Sequence, residues 1–180
     1  MSCVQIAYHK TRFGELIFGS YRDELCLCDW RYRAMRQSID DRICKGLDAQ
    51  YVEDRTPCID NAIMQVDEYF QRERTTFDIP LRFVGTPFQQ KVWQALCAIP
   101  YGTTSTYLKQ AEKIGNKEAI RAVASANGAN AISIIVPCHR IIGSDGSLIG
   151  YAGGVDVKYA LLALEGIAIG IHEQQTALSL

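Results

Sequence analysis

A chain of 180 residues that is 48% hydrophobic and 22% charged can bury one large core or two small ones, and its composition is not that of a disordered or fibrous protein. Its 19 basic and 20 acidic side chains leave a net charge of −1, which excludes a simple polycation that binds nucleic acid by charge alone. No apolar run approaches the ~18–20 residues of a membrane span, and the first residues lack an apolar stretch followed by a cleavage site, so a reducing, cytoplasmic location (or nucleoid, or nuclear in a eukaryote) is expected.

The first third alternates in the manner of strands. VQIAYH, ELIFGSY and ELCLCDW, separated by Gly14 and by an Arg-Asp-Glu turn, predict an antiparallel meander. Residues 35–58 are polar and read as loop with some helix. Ile59, Ile63, Val66 and Phe70 then recur at helical spacing, so residues 59–72 predict an amphipathic helix. The seven cysteines are odd in number and irregularly spaced, which argues for thiols rather than a disulfide framework. A zinc site from Cys3, Cys26 and Cys28 lacks both a C-x-x-C pair and neighbouring histidines, so no metal or other cofactor is expected.

Near residues 83–86 the pattern changes, which predicts a β-rich domain over 1–85, a second domain over 86–168 and a tail over 169–180. Thr86-Pro87-Phe88-Gln89 supplies a capping hydroxyl, a proline at the first helical position and a glutamine three residues after the cap. Phe88, Val92, Leu96 and Ile99 line the helix that follows, which Pro100 stops. A second helix is predicted from Ser105 to Ile114, ended by Gly115, and a third after Asn116; the short connection reads as a helix-turn-helix. On the third helix Ala119, Ala122 and Ala126 share a face beside Arg121, while Ile120 and Val123 are expected to point into the core. A face of alanines suits either tight helix packing or close entry into a DNA minor groove. Charge follows the same division: residues 1–85 hold 12 basic and 14 acidic side chains, residues 86–165 hold 7 and 5.

Residues 131–136 (AISIIV) read as a buried strand that ends at Pro137-Cys138-His139-Arg140. A free cysteine of pKa ~8.5 is only about 3% thiolate at neutral pH, and flanking cations that lower the value by ~2 would raise that above half. His139 is the expected base and Glu165, closing the helix KYALLALE, the group that would orient it. The intervening GSDGSLIGYAGG is a glycine-rich loop suited to a flat ligand.

VPCHRIIGSDGSLIGYAGG resembles the active-site signature of the O6-alkylguanine-DNA alkyltransferases. TPFQQKVWQALCAIPYGTTSTY, RAVASANGAN and LLALEG resemble the same family in order, over residues 86–166; RFGELIFGSY resembles its smaller domain in outline. The resemblance implies an α/β (α+β) fold, with a ribonuclease H-like sheet domain before an all-α, winged-helix-like domain. It also implies a function, the stoichiometric and irreversible transfer of an alkyl group from O6-alkylguanine, or O4-alkylthymine, in double-stranded DNA. Cys138 would be the acceptor, His139 the base acting through a water, and Glu165 its partner. Asn130 would brace the turn, Tyr107 would donate toward the departing base, and Arg121 would fill the gap left in the duplex. Ala122, Ser125, Ala126 and Arg140 would complete a minor-groove surface, and Ser144, Tyr151 and Gly153 would line the guanine pocket of a monomer. Ala131 stands where the family often has proline, which implies a less rigid turn. Two rival readings are a thiol hydrolase built on Cys138, His139 and Glu165, and a DNA-binding regulator or lesion binder that transfers nothing.

Overall fold

The computed structural model describes residues 2–170; the greater part of the expected tail, 171–180, lies outside them. Strands β1 (Ser2–Thr11), β2 (Gly14–Tyr21) and β3 (Glu24–Trp30) form the expected meander. The β2–β3 turn places both Arg22 and Asp23 at positive φ, 51° and 62°, the two-residue hairpin geometry that matches strand twist.

The stretch 35–58 is more regular than its polarity suggests. It holds helix α1 (Arg36–Leu47) and strand β4 (Ala49–Glu53), which runs parallel to β1 and gives the sheet order β3-β2-β1-β4. Helix α1 buries only Ile39 and Ile43, and β4 buries only Ala49, so neither leaves a strong apolar period. Helix α2 (Pro57–Phe70) starts at Thr56, whose hydroxyl accepts from the Ile59 amide, and lays Ile59, Ile63, Val66 and Tyr69 against the sheet. The connection that follows runs along β3, with Leu25 donating to Pro80 and Arg82 donating back to Leu25.

Beyond it, α3 (Pro87–Cys97) begins with the expected reciprocal cap between Thr86 and Gln89. Helices α4 (Tyr107–Lys113) and α5 (Ile120–Gly128) form the helix-turn-helix, with a 3₁₀ turn at Lys117–Ala119 capped by Asn116. Their packing is fixed by two buried amides: Gln110 and Asn127 exchange hydrogen bonds of 3.1 and 2.8 Å, and the Trp93 indole donates to the Ala126 carbonyl at 2.8 Å. Helix α6 (Val155–Leu164) closes the described chain. This half is not all-α: β5 (Ser105–Thr106) pairs in parallel with β6 (Ile141–Ile142) and ties α4 to the segment after Cys138.

One apolar core runs through both halves, joining Phe18, Cys28, Trp30 and Tyr69 to Val92, Leu96, Val123 and Leu161. A polar strut crosses the same seam. Asp29 is fully buried, is held by Arg33, Arg36 and the Ser133 hydroxyl, and anchors guanidinium groups that reach the end of α5. Arg33 donates to the carbonyls of Gly128 and Asn130, and Arg42 to that of Ala129. Cations at a helix C-terminus satisfy its free carbonyls and oppose its dipole.

Candidate functional site at Cys138

Residues 131–136 do not form a strand. Ile132 makes a single bridge to Cys28, and the chain then turns twice: Ile135 donates to Ser133 with Ile134 at φ 73°, and Cys138 donates to Val136 across Pro137 at φ −83°, ψ 63°. These are three-residue γ-turns, the first of the rare positive-φ kind. A β-branched residue at that φ stores strain, ~1–3 kcal/mol, that its surroundings must hold.

Asn130 is what holds it. Its amide donates to the Val136 carbonyl at 2.9 Å and to Cys138 Sγ at 3.3 Å, and its oxygen accepts from the Ile132 amide at 2.9 Å. The looser turn implied by Ala131 is countered from the sheet: Cys28 donates to the Ala131 carbonyl at 2.9 Å and accepts from the Ser133 amide at 2.6 Å.

Cys138 sits 8% exposed in a surface pocket of about 520 Å³. Tyr151, expected at the guanine pocket, lines it, and so do Tyr107 and Arg121. The Tyr107 hydroxyl donates to the Ile149 carbonyl at 3.1 Å, and Tyr151 accepts from the Trp30 indole at 3.3 Å. Ser144 and Gly153 do not reach the lining. Ser144 is exposed on the outer loop, and Gly153 lies against Trp30 so closely that a Cβ would stand 2.7 Å from its ring.

Behind the pocket lies a buried ionic cluster. Glu165 accepts from His139 Nε2 at 2.7 Å, from the Tyr69 hydroxyl at 2.7 Å, from Arg140 Nε at 2.9 Å and from the Gly102 amide at 3.1 Å. Burial alone would raise this carboxyl; the hydrogen bonds from His139 and Arg140 override it and hold the pKa at about 2. His139 is fully buried and burial keeps its pKa below the ordinary 6.5, so the ring is neutral. With Nε2 bonded to a carboxylate, Nδ1 is the lone-pair atom, and it has no partner among the described residues.

Two expectations fail here for one reason. Arg140, expected on the DNA surface, is 6% exposed, pairs with Glu165 and donates to the Ile99 carbonyl at 2.6 Å. It is committed to the cluster, as is the His139 ring, so neither places its charge on the thiol. Burial raises the Cys138 pKa, opposed by the Asn130 hydrogen bond and the charges of Lys158 and Arg33.

Sequence reasoning missed Lys158. It is 1% exposed, donates to the carbonyls of Ile149 at 3.1 Å and Gly150 at 3.4 Å, and burial lowers its pKa to about 8. A helical period would have found it, since Lys158, Leu161, Leu162 and Glu165 fall on one buried face of α6. Tyr69 carried no signal beyond its place on an apolar helix face.

The surface of α5 also differs from expectation. Arg121, Ala122 and Ser125 are exposed, but Ala126 is buried under Trp93, and Ile120 faces the pocket rather than the core. Cys26 and Cys28 project into separate clusters on opposite sides of β3, and among the described residues no group of three or more metal-type side chains assembles. No helix among those residues is long and apolar enough to cross a membrane.

Fold and site together define an α+β protein whose helix-turn-helix unit borders a pocket with a cysteine at its base. The family model for the DNA-binding domain of 6-O-methylguanine DNA methyltransferase matches residues 87–167. A methylated-DNA–protein-cysteine methyltransferase of Mycobacterium leprae is 52% identical over 119 residues, covering 66% of this chain and 69% of its own. A constitutive one of Bacillus subtilis is 42% identical over 161 residues, covering 88% and 93%. The crystal structure of the Mycobacterium tuberculosis O6-methylguanine methyltransferase matches with a TM-score of 0.76 at 38% identity, over 90% of this chain and 92% of that one. A structure of the M. tuberculosis protein in complex with DNA matches at 0.75 and 37%, over 91% and 92%. The chain belongs to the methylated-DNA–protein-cysteine methyltransferase family.

Proposed function

We propose that this chain repairs DNA directly, moving an alkyl group from guanine O6 to Cys138, once per molecule. The observation that carries the reading is the position of Cys138, at the base of a pocket whose lip is the exposed Arg121 of α5. The target carbon is out of reach in stacked DNA, so the nucleotide must rotate out of the duplex, at a few kcal/mol. Arg121 offsets part of that by entering the vacated stack. Ala122 and Ser125 give α5 a slim exposed edge for the minor groove, and the protein acts as a monomer in the cytoplasm.

Within the pocket the thiol proton passes through a bridging water to His139 Nδ1, and Glu165 stabilises the imidazolium. The thiolate attacks the alkyl carbon in line with the C–O6 bond; the S–C bond forms, the C–O6 bond breaks, and its electron pair leaves on guanine. The departing guanine, steadied by a hydrogen bond from the Tyr107 hydroxyl, takes one proton from solvent, and the His139 imidazolium returns the thiol's proton to solvent, so the net result moves that proton from sulfur to guanine. Asn130 keeps Sγ aimed at the pocket. The product is a thioether, and no group in the pocket is placed to cleave it.

The test is intact-protein mass after exposure to a duplex carrying O6-methylguanine. The expected result is a stable gain of one methylene on the Cys138 peptide with a stoichiometric endpoint, absent from Cys138→Ala, which still binds the duplex. Continued product release would indicate a hydrolase, and an unmodified wild-type chain a binder.

A further inference from the structure

Cys138, His139 and Glu165 all belong to the helical half, but the cluster around Glu165 does not end there. Tyr69 reaches it from α2, in the sheet half, and its hydroxyl donates to Glu165 Oε1 at 2.7 Å. His139 Nε2 donates to that same oxygen at 2.7 Å, and the Tyr69 oxygen stands 3.4 Å from Nε2 itself. Tyr69 therefore touches both members of the pair that is to receive the thiol proton.

The direction of its bond follows from chemistry. A carboxylate only accepts, and Nε2 already gives its hydrogen to Oε1, so the phenol is the donor. Burial and then the charge of Glu165 push the Tyr69 pKa well above the ordinary 10, so the phenol keeps its proton at any pH near neutral. The ring is fully buried and packs against Phe70, Phe77 and Tyr101, with centroids 5.7, 5.6 and 6.1 Å away. A ring held in this way delivers its hydrogen to one place.

Burial is what most opposes a charged His139, and the charges of Arg140 and Lys158 add to it, while Glu165 favours the charged ring. The remaining titratable neighbours are the Cys138 thiol and Tyr151, whose ring centroid lies 6.4 Å from the imidazole; burial keeps both neutral. The balance therefore turns on how strongly Oε1 holds the imidazole. Each donor on that oxygen draws charge away from the imidazole, and Arg140 Nη2 adds a third at 2.9 Å.

We propose that Tyr69 is a positioning residue for the transfer: through Glu165 Oε1 it holds His139 as a neutral base, with the Nδ1 lone pair left for the thiol proton. The proposal rests on the transfer reading above and adds the sheet half to the machinery of that site.

Two measurements on wild type and Tyr69→Phe test it. Phenylalanine keeps the ring and strands no buried donor, because Glu165 retains His139, Arg140 and Gly102. The first measurement needs no DNA: the His139 ring resonances are followed by NMR as pH falls. The variant's ring is expected to take up its proton about 0.5–1 pH unit higher than wild type, roughly a three- to tenfold gain in proton affinity from one lost charge-assisted bond. The second is the single-turnover rate of transfer from O6-methylguanine in a duplex, whose acid limb reports the neutral imidazole. That limb is expected to move up by the same interval, with the plateau above it retained. A variant that is merely less well packed transfers more slowly at every pH alike, with its acid limb in place. That result overturns the proposal, as does a His139 that stays neutral as far down in pH as in wild type. Should wild type transfer nothing, the transfer reading falls and the part of Tyr69 in it falls too, even where the NMR shift is seen.

Discussion

Glu165→Gln is the sharpest perturbation of the site, because it removes one charge and almost no volume. Glu165 is 6% exposed and accepts only, from His139, Tyr69, Arg140 and Gly102. Glutamine must turn two N–H donors toward some of those same donors, and it leaves the Arg140 guanidinium buried without its counter-ion. Breaking a buried pair in this way costs about 3–5 kcal/mol. The pH linkage gives an independent figure. A carboxyl held at about 2 rather than its ordinary 4.5 contributes about 3 kcal/mol of stability at neutral pH, at ~1.4 kcal/mol per tenfold change. The folded value is the depressed one, so this stability is complete above about pH 4.5 and is lost as pH falls toward about 2. At pH 7 the variant is therefore expected to melt roughly 6–20 °C lower, at ~2–4 °C per kcal/mol for a chain of this size. The gap should close on acidification, because a protonated glutamate resembles glutamine. Burial also holds His139 below its ordinary value and destabilises both proteins in acid; Glu165 partly opposes that, so the difference between the two curves reports the carboxylate together with its hold on His139. Calorimetry from pH 7 to pH 2 supplies it. A gap that stays constant across that range would show that the carboxyl's charge does not hold the cluster together.

Arg121→Ala should slow transfer from duplex DNA roughly 10–100-fold, by removing the group proposed to offset extrusion, while transfer from O6-methylguanine in a single strand, where no pair is broken, falls far less; equal losses on both would place Arg121 in the chemistry instead. Lys158→Met should stabilise the protein at pH 7 by ~1–2 kcal/mol, because burial lowers the lysine to about 8 and the folded state resists its charge. Wild type then gains stability between about pH 8 and 10.5, and the variant's advantage should vanish over that range in urea melts. A variant already weaker at pH 7 would mean that the bonds to Ile149 and Gly150 outweigh the burial of the charge.

The parts of the fold that were legible are those whose burial imposes a period. β2 and β3, the inward face of α2 and the Thr86 cap each leave a pattern in the nearest few residues. Strand β4 and helix α1 lack such a pattern because they cover an edge, and most of their side chains meet water. The turn from Ala131 to Val136 failed for the opposite reason: a continuous apolar run is what a buried strand and a buried irregular turn have in common. What separates them is Asn130, whose two-sided amide replaces the ladder hydrogen bonds a strand would have supplied.

The same distinction decides the chemistry at Cys138. Proximity in sequence suggested that His139 and Arg140 would make the sulfur acidic, but adjacent residues in a 3₁₀ turn point in different directions, and both side chains turn away to Glu165. The sulfur is left with an amide donor, a lysine whose own charge is disfavoured, and a pocket that resists any net charge. A pre-formed thiolate would bear its whole desolvation cost before the substrate arrived. In the transfer proposed above, a neutral thiol with a neutral imidazole behind it would ionise only as the alkyl carbon approaches, when the developing charge passes to guanine. Keeping the cysteine protonated until then also protects it from oxidants, which react with thiolates and not with buried thiols. Under the proposed single use of its nucleophile, the protein would gain from a sulfur that stays inert until the damaged base is in place.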